Sequence, residues 1–118
     1  MLEAGDIAGD VRQVLAAANA GKGEAPPFLT AYQILERLPA TTRDRALAER
    51  GMPGAGAGVH YSAASLVKDA ILHHLRTEVE IACLDNTGAA FEIEGRLVRG
   101  GYPVCGLYRL ARPVDLSV

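Results

Sequence analysis

Apolar residues in the first part of the chain recur at helical spacing. Between residues 2 and 20 they lie mostly three to five positions apart, at Leu2, Ile7, Val11, Val14, Leu15 and Ala18. A period close to 3.6 residues is typical of an amphipathic helix. The Gly- and Pro-rich residues 21–27 interrupt this pattern and predict a linker. We therefore expect residues 1–24 to be a helix and linker that dock on the domain or dimerise, and residues 25–118 to be one α+β domain.

Two short helices are predicted next, and capping residues mark where they begin. Thr30, followed three positions later by Gln33, forms a capping box in which each side chain accepts a hydrogen bond from the other residue's backbone. Pro39 lacks a backbone N–H and ends this helix. Thr41 or Thr42 is expected to cap the helix that follows.

A fourth helix is predicted at residues 62–75, after a loop rich in glycine. Its apolar stripe comprises Ala63, Leu66, Val67, Ala70, Ile71 and either His74 or Leu75. The opposite side of the helix carries Ser62, Ser65, Lys68, Asp69, Leu72, His73 and Arg76. The first set is expected to face the core, and the second set is expected to face solvent.

Beyond residue 76 the apolar period changes from helical to alternating. Val79, Ile81 and Cys83 alternate with polar or small neighbours, which predicts a half-buried strand. The segments that follow are a turn and return strand at residues 85–93, a tight Glu94-Gly95 hairpin into residues 96–99, and a last strand at residues 104–110. The expected fold class is α+β, with N-terminal helices followed by a C-terminal antiparallel sheet of three to four strands.

Composition and charge narrow the range of functions. Twelve Lys and Arg against fourteen Asp and Glu give a net charge of −2, which excludes a histone-like polycation. Two cysteines, Cys83 and Cys105, are too few for a disulfide scaffold, and both are expected to be buried. Residues 1–20 lack the pattern of a signal peptide, and no apolar run is long enough to span a membrane. We expect a soluble cytoplasmic protein that does not bind membranes.

The residues that usually carry catalysis, metals or cofactors do not occur in the required patterns. The glycine-rich residues 51–58 lack the preceding strand and the Gly-Lys-Ser/Thr ending of a phosphate-binding loop. His73 and His74 are adjacent, so they point about 100° apart on a helix, and no metal-ligand spacing includes His60. No serine has the histidine and carboxylate of a catalytic triad arranged around it. We therefore expect no enzymatic activity, cofactor or metal.

The order of three helices followed by an antiparallel hairpin resembles a winged helix-turn-helix domain over residues 28–112. This resemblance implies that the third core helix enters the major groove of double-stranded DNA and that the hairpin contacts the phosphate backbone or the minor groove. The residues it places at the DNA are His60, Tyr61, Ser62, Ser65, Lys68, Asp69, Leu72, Arg96 and Arg99. A local charge of +3 over residues 37–76 favours the same function, a small DNA-binding protein of the transcriptional-regulator type.

A protein-binding adaptor or inhibitor is the alternative function. Four carboxylates occupy alternate strand positions and predict an acidic sheet face: Glu78, Glu80, Glu92 and Glu94. Such a face suits a basic partner surface, unless Arg96, Arg99 or Arg109 on an adjoining strand neutralises it. The N-terminal helix is apolar enough to need a surface to pack on. If that surface belongs to a second chain, the protein is a homodimer.

Overall fold

The computed structural model describes residues 1–18, 26–51, 62–85, 91–98 and 104–111. Helices come first in these residues and most of the sheet follows, which confirms the α+β fold class. The elements are α1 (Ala4–Ala17), β1 (Leu29–Thr30), α2 (Ala31–Arg37), α3 (Ala40–Arg50), α4 (Ala63–His74), a 3₁₀ turn (Arg76–Glu78), β2 (Val79–Asp85), β3 (Phe91–Ile93), β4 (Arg96–Val98) and β5 (Val104–Leu110).

Helix α1 packs into the core of its own chain. Ile7, Val11 and Leu15 are buried on the side that meets α4. Gly5 permits close approach there, because a Cβ at this position would lie 3.2 Å from Cε1 of His74. The backbone N–H of Leu2 also donates to Glu49 of α3 at 2.7 Å. The apolar face of α1 is therefore covered within the chain.

The capping box predicted for α2 is present. The N–H of Gln33 donates to Oγ1 of Thr30 at 3.1 Å, and the N–H of Thr30 donates to Oε1 of Gln33 at 2.9 Å. The predicted start of α3 is wrong, because the helix begins at Ala40 with Pro39 at its N-cap. The Thr42 hydroxyl does not cap α3; it donates to Asp10 of α1 at 2.7 Å.

Helix α4 lies at the centre of the helical half. It packs against α1, α2 and α3, and every residue from 62 to 67 is buried. Ala70 and Ile71 continue the buried side into the second half of the helix. A helix with neighbours on several sides buries more than one apolar stripe, which explains why even small and polar residues of its first turn are enclosed.

Three strands form an antiparallel sheet in the order β1-β5-β2. Val79 lies opposite Leu110 and Ile81 lies opposite Tyr108, and the pairing of β2 with β5 runs without a bulge to Asp85. The short strand β1, which the sequence pattern did not indicate, adds Leu29 opposite Tyr108. The core below this sheet includes Leu29, Val79 and Tyr108.

The tight hairpin predicted at Glu94-Gly95 is present between β3 and β4. Both residues have positive φ, 50° at Glu94 and 77° at Gly95, as a two-residue hairpin turn requires. The expected pairing of residues 89–93 with β2 is wrong, because β3 pairs with β4 and β2 pairs with β5. The hairpin packs on α2, and Ile93 at its end is fully buried.

Candidate binding surfaces

The residues predicted to contact DNA lie in different environments. Ser62 and Ser65 are only 6% and 9% exposed, so the expectation that both face solvent is wrong. Oγ of Ser62 caps α4 by accepting a hydrogen bond from the N–H of Ser65 at 3.4 Å. His60, Tyr61 and Arg99 lie outside the described residues.

The second half of α4 presents a surface that the sheet does not cover. Lys68 and His73 are exposed, while Asp69 and Leu72 are half-buried. At 100° per residue these four side chains project from one side of the helix. This face combines a cation, an anion, an apolar side chain and an imidazole, so it is not a purely basic stripe.

Arg96 is exposed on a hairpin whose turn is held against the helices. The N–H of Glu94 donates to Oε2 of Glu36 on α2 at 3.2 Å. Arg43 of α3 lies between the two carboxylates, with Nε 3.6 Å from Oε1 of Glu94 and Nη1 4.0 Å from Oε1 of Glu36. Ile93, the residue before Glu94, is fully buried and fixes the hairpin further. The turn of the hairpin is thus docked on the domain.

The carboxylates predicted to form an acidic sheet face are largely paired with arginines. Glu78 lies 2.6 Å from Arg12, and Glu80 lies 2.6 Å from Arg109. The guanidinium of Arg109 also stacks over the Phe28 ring, 4.2 Å from its centroid. Neutralisation of the strand carboxylates by Arg109 was one of the sequence-based alternatives, and the structure confirms it for Glu80. The sheet is therefore less acidic than its composition suggests.

The far half of β2 is exposed on both of its faces. Ile81 and Leu84 are 39% and 40% exposed, and Cys83 is exposed as well. Because neighbouring strand residues point to opposite sides, both faces of β2 are only partly covered beyond Val79, with Ala82 half-buried. The predicted burial of Cys83 is wrong for this reason; the side chain of Cys105 lies outside the described part of β5.

The outer edge of β2 lacks a partner among the described strands. Of these strands β2 pairs only with β5, so no described strand lies at the other edge of residues 79–84. Proteins usually protect such edges with charged side chains, above all lysine, or with proline, a bulge or a short strand. Residues 79–85 have the charged residues Glu80 and Asp85 but no lysine or proline, and their ladder with β5 is unbroken. We call this edge, together with residues 81–84, the ribbon edge.

Residues 81–84 carry a sequence signal that the alternation of Val79, Ile81 and Cys83 does not show. Residues 81–84 read Ile-Ala-Cys-Leu, four consecutive apolar residues, where a strand with one wet face would alternate with polar ones. Such a run is typical of a strand covered on both faces. The structure covers each of these faces only in part, and Leu97 of β4 adds another apolar side chain that is 78% exposed.

A shallow cleft lies between the start of α1 and the start of α3. Its volume is about 400 Å³, and it is lined by Leu2, Asp6, Ile7, Thr41, Thr42 and Arg45. Beside it, the hydrogen bond from the Leu2 N–H and the side chain of Arg45 lower the pKa of Glu49. No group of three His, Cys, Asp or Glu side chains suited to a metal occurs in the described parts of the chain. The described lining of the cleft therefore offers no metal-binding cluster.

Neither protein-family models nor curated proteins nor solved structures match this chain. Within the described ranges, none of the helices combines the length and apolar character needed to cross a bilayer.

Proposed function

We propose that this protein is a non-enzymatic protein-interaction module that binds its partner through the ribbon edge. The observation that carries the proposal is that residues 81–84 are all apolar and only partly covered, on a strand whose outer edge has no described partner. The mode of binding is strand addition, in which an extended segment pairs with the exposed edge of a sheet. Main-chain hydrogen bonds then supply affinity, and the alternating side chains supply specificity.

The energetic gain is moderate and spread over several contacts. Complete burial of a leucine or isoleucine side chain contributes roughly 1.5–3 kcal/mol. Since Ile81 and Leu84 are about 40% exposed, covering the remainder of each contributes about 1 kcal/mol. The charge of Glu80 does not repel an added strand, because Arg109 already compensates it. The chemistry of this edge favours an extended segment with alternating apolar residues.

A selection from displayed ten-residue peptides tests this function on the full chain. We expect the selected peptides to alternate apolar and polar residues and to slow amide hydrogen exchange in β2. Leu84→Glu should weaken their binding at least tenfold, because it places a charge in the apolar contact. Gln13→Glu, which adds the same charge at an exposed position of α1, should leave binding unchanged. Peptides that protect another surface, or that bind the Leu84→Glu variant equally well, would contradict the proposal.

Binding of double-stranded DNA is a second candidate function. It is supported by the order of helices and strands expected from the winged-helix resemblance, and by the uncovered face of α4 around Lys68. Since residues 62–67 are buried, the first turn of α4 would not contact bases. Lys68 of α4 and Arg96 of the hairpin would contact phosphates instead. The net charge of −2 makes this contact weak and dependent on low salt.

Fluorescence anisotropy with a labelled duplex at several salt concentrations tests the DNA candidate. If both cations contact phosphates, replacing Lys68 and Arg96 by alanine should reduce the slope of log affinity against log salt by about 2. The Leu84→Glu variant serves as the control and should bind DNA like the wild type. Absence of binding by the wild type at low salt would exclude this candidate and leave protein binding.

A further inference from the structure

We infer that Arg109 sets the charge preference of the ribbon edge, so that the partner segment carries an uncharged residue at the position opposite Glu80. This inference rests on the proposed function, because it assumes that the ribbon edge is the binding surface. It adds the chemistry of the partner at one position and names the residue of this chain that selects it. An acidic sheet face would instead favour a lysine or an arginine at that position.

The position of Arg109 determines where the carboxylate of Glu80 lies. The two residues are directly opposite each other in the ladder between β2 and β5, so their side chains project from the same face of the sheet. Nε of Arg109 lies 2.6 Å from Oε2 of Glu80. Since β5 and the ribbon edge lie on opposite sides of β2, this contact draws the carboxylate towards β5 and away from the ribbon edge.

Contacts on the other side of β5 fix the guanidinium of Arg109 in this orientation. Its Cζ lies 4.2 Å from the centroid of the Phe28 ring, and its Nη1 donates to the carbonyl of Pro26 at 3.4 Å. Both residues come just before β1, which flanks β5 on the side away from β2. A planar guanidinium with contacts on its face and along its edge is held in one orientation. Arg109 therefore presents a fixed charge to Glu80.

With this pair, both carboxylates of residues 78–84 are compensated within the chain. The other one, Glu78, lies 2.6 Å from Nη2 of Arg12. Charged side chains at an edge oppose the addition of a strand, because the added strand removes them from water. A lysine of the partner opposite Glu80 would lose its own hydration and would find the carboxylate already compensated by Arg109. An uncharged residue at that position avoids this cost.

A double-mutant cycle on the full chain tests the role of Arg109, with a ten-residue peptide selected on the wild type as the probe. Arg109→Gln should weaken binding of this peptide about fivefold, because the added strand then covers an uncompensated carboxylate at Glu80. Glu80→Gln in the Arg109→Gln background removes that carboxylate and should restore binding to within about twofold of the wild type. A merely structural role of Arg109 would leave the double variant as weak as the single one.

A lysine scan of the same peptide gives a second readout. Lysine should strengthen binding to the wild type at none of the ten positions. On Arg109→Gln, lysine at one position should strengthen binding about fivefold, because it compensates Glu80, and this gain should vanish on the double variant. Arg12→Gln is the matched control. It removes the same charge beside Glu78, outside the paired residues of β2, and should leave the wild-type pattern unchanged.

Equal binding of the peptide to the wild type and to Arg109→Gln would overturn the inference. It would also be overturned by a double variant as weak as Arg109→Gln, or by the same lysine pattern on both chains. If one of these results is found while selected peptides still protect β2 and require Leu84, the proposed function stands and only the role of Arg109 is wrong. If no selected peptide protects β2, the proposed function fails and this inference is overturned with it.

Discussion

Replacing Ile93 by alanine tests whether the β3–β4 hairpin is part of the core or a free wing. Ile93 is fully buried, whereas Leu97 on the paired strand is 78% exposed. Truncating Ile93 removes three methyl or methylene groups, worth about 2.4 kcal/mol in transfer free energy. An unrelaxed cavity adds up to about 2 kcal/mol. We therefore expect Ile93→Ala to lower the free energy of unfolding by about 2–4 kcal/mol.

Urea denaturation of Ile93→Ala and Leu97→Ala, compared with the wild type, provides the measurement. Leu97→Ala is the matched control from the same hairpin and should change the free energy of unfolding by less than about 0.5 kcal/mol. Each of β3 and β4 contributes only three residues, and an isolated hairpin of that size is marginal, so the hairpin depends on docking at Ile93. Equal effects of the two substitutions would refute the docked arrangement.

Two further predictions concern the contacts of α1. Gly5→Ala should give little or no stabilisation in the wild type, because its Cβ would crowd His74. In a His74→Ala background the same substitution should raise the free energy of unfolding, as measured by thermal denaturation. Since Gly5 lies in the first turn of α1, the gain should stay below the roughly 1 kcal/mol that Ala has over Gly in a helix interior. Glu49 has a pKa below 4.5 in the folded state, because the Leu2 N–H and then Arg45 stabilise its carboxylate. The ionised carboxylate therefore stabilises the folded protein at pH values above the unfolded-state pKa. This stabilisation is lost as the pH falls through the folded-state pKa. Stability of the wild type should therefore decrease more steeply on acidification below pH 4.5 than that of Glu49→Gln, as followed by urea midpoints across pH; parallel curves would contradict the assignment.

The parts of the fold that depend on local chemistry were predictable from the sequence. The Thr30–Gln33 capping box involves residues one helical turn apart, and the Glu94-Gly95 turn is specified by two neighbours. The change from helical to alternating period correctly places the start of the sheet near residue 79. Each of these features is encoded within a few residues, so a single sequence is sufficient to find them.

Features that depend on distant partners were not predictable in the same way. The two residues of β1 carry no pattern of their own, and they form a strand only because β5 lies beside them. Ser65 was expected to face solvent from its helical position, but the neighbours of α4 enclose the first turn of the helix. Cys83 was expected to be buried because it continues the alternation of Val79 and Ile81, but the structure leaves it exposed. The unbroken apolar run of residues 81–84 indicates an unusual strand, but it does not show how much of that strand the rest of the chain covers.

Strand addition at the ribbon edge predicts a specific change in the backbone amides of β2. Amide hydrogen exchange at single-residue resolution, with and without a selected peptide, measures this change most directly. In an antiparallel ladder every second N–H of β2 points to β5 and the others point outward. We predict that the outward amides of residues 80–84 exchange rapidly in the free chain and become protected in the peptide complex, while those bonded to β5 stay protected throughout. Outward amides that exchange at the same rate with and without the peptide would contradict strand addition.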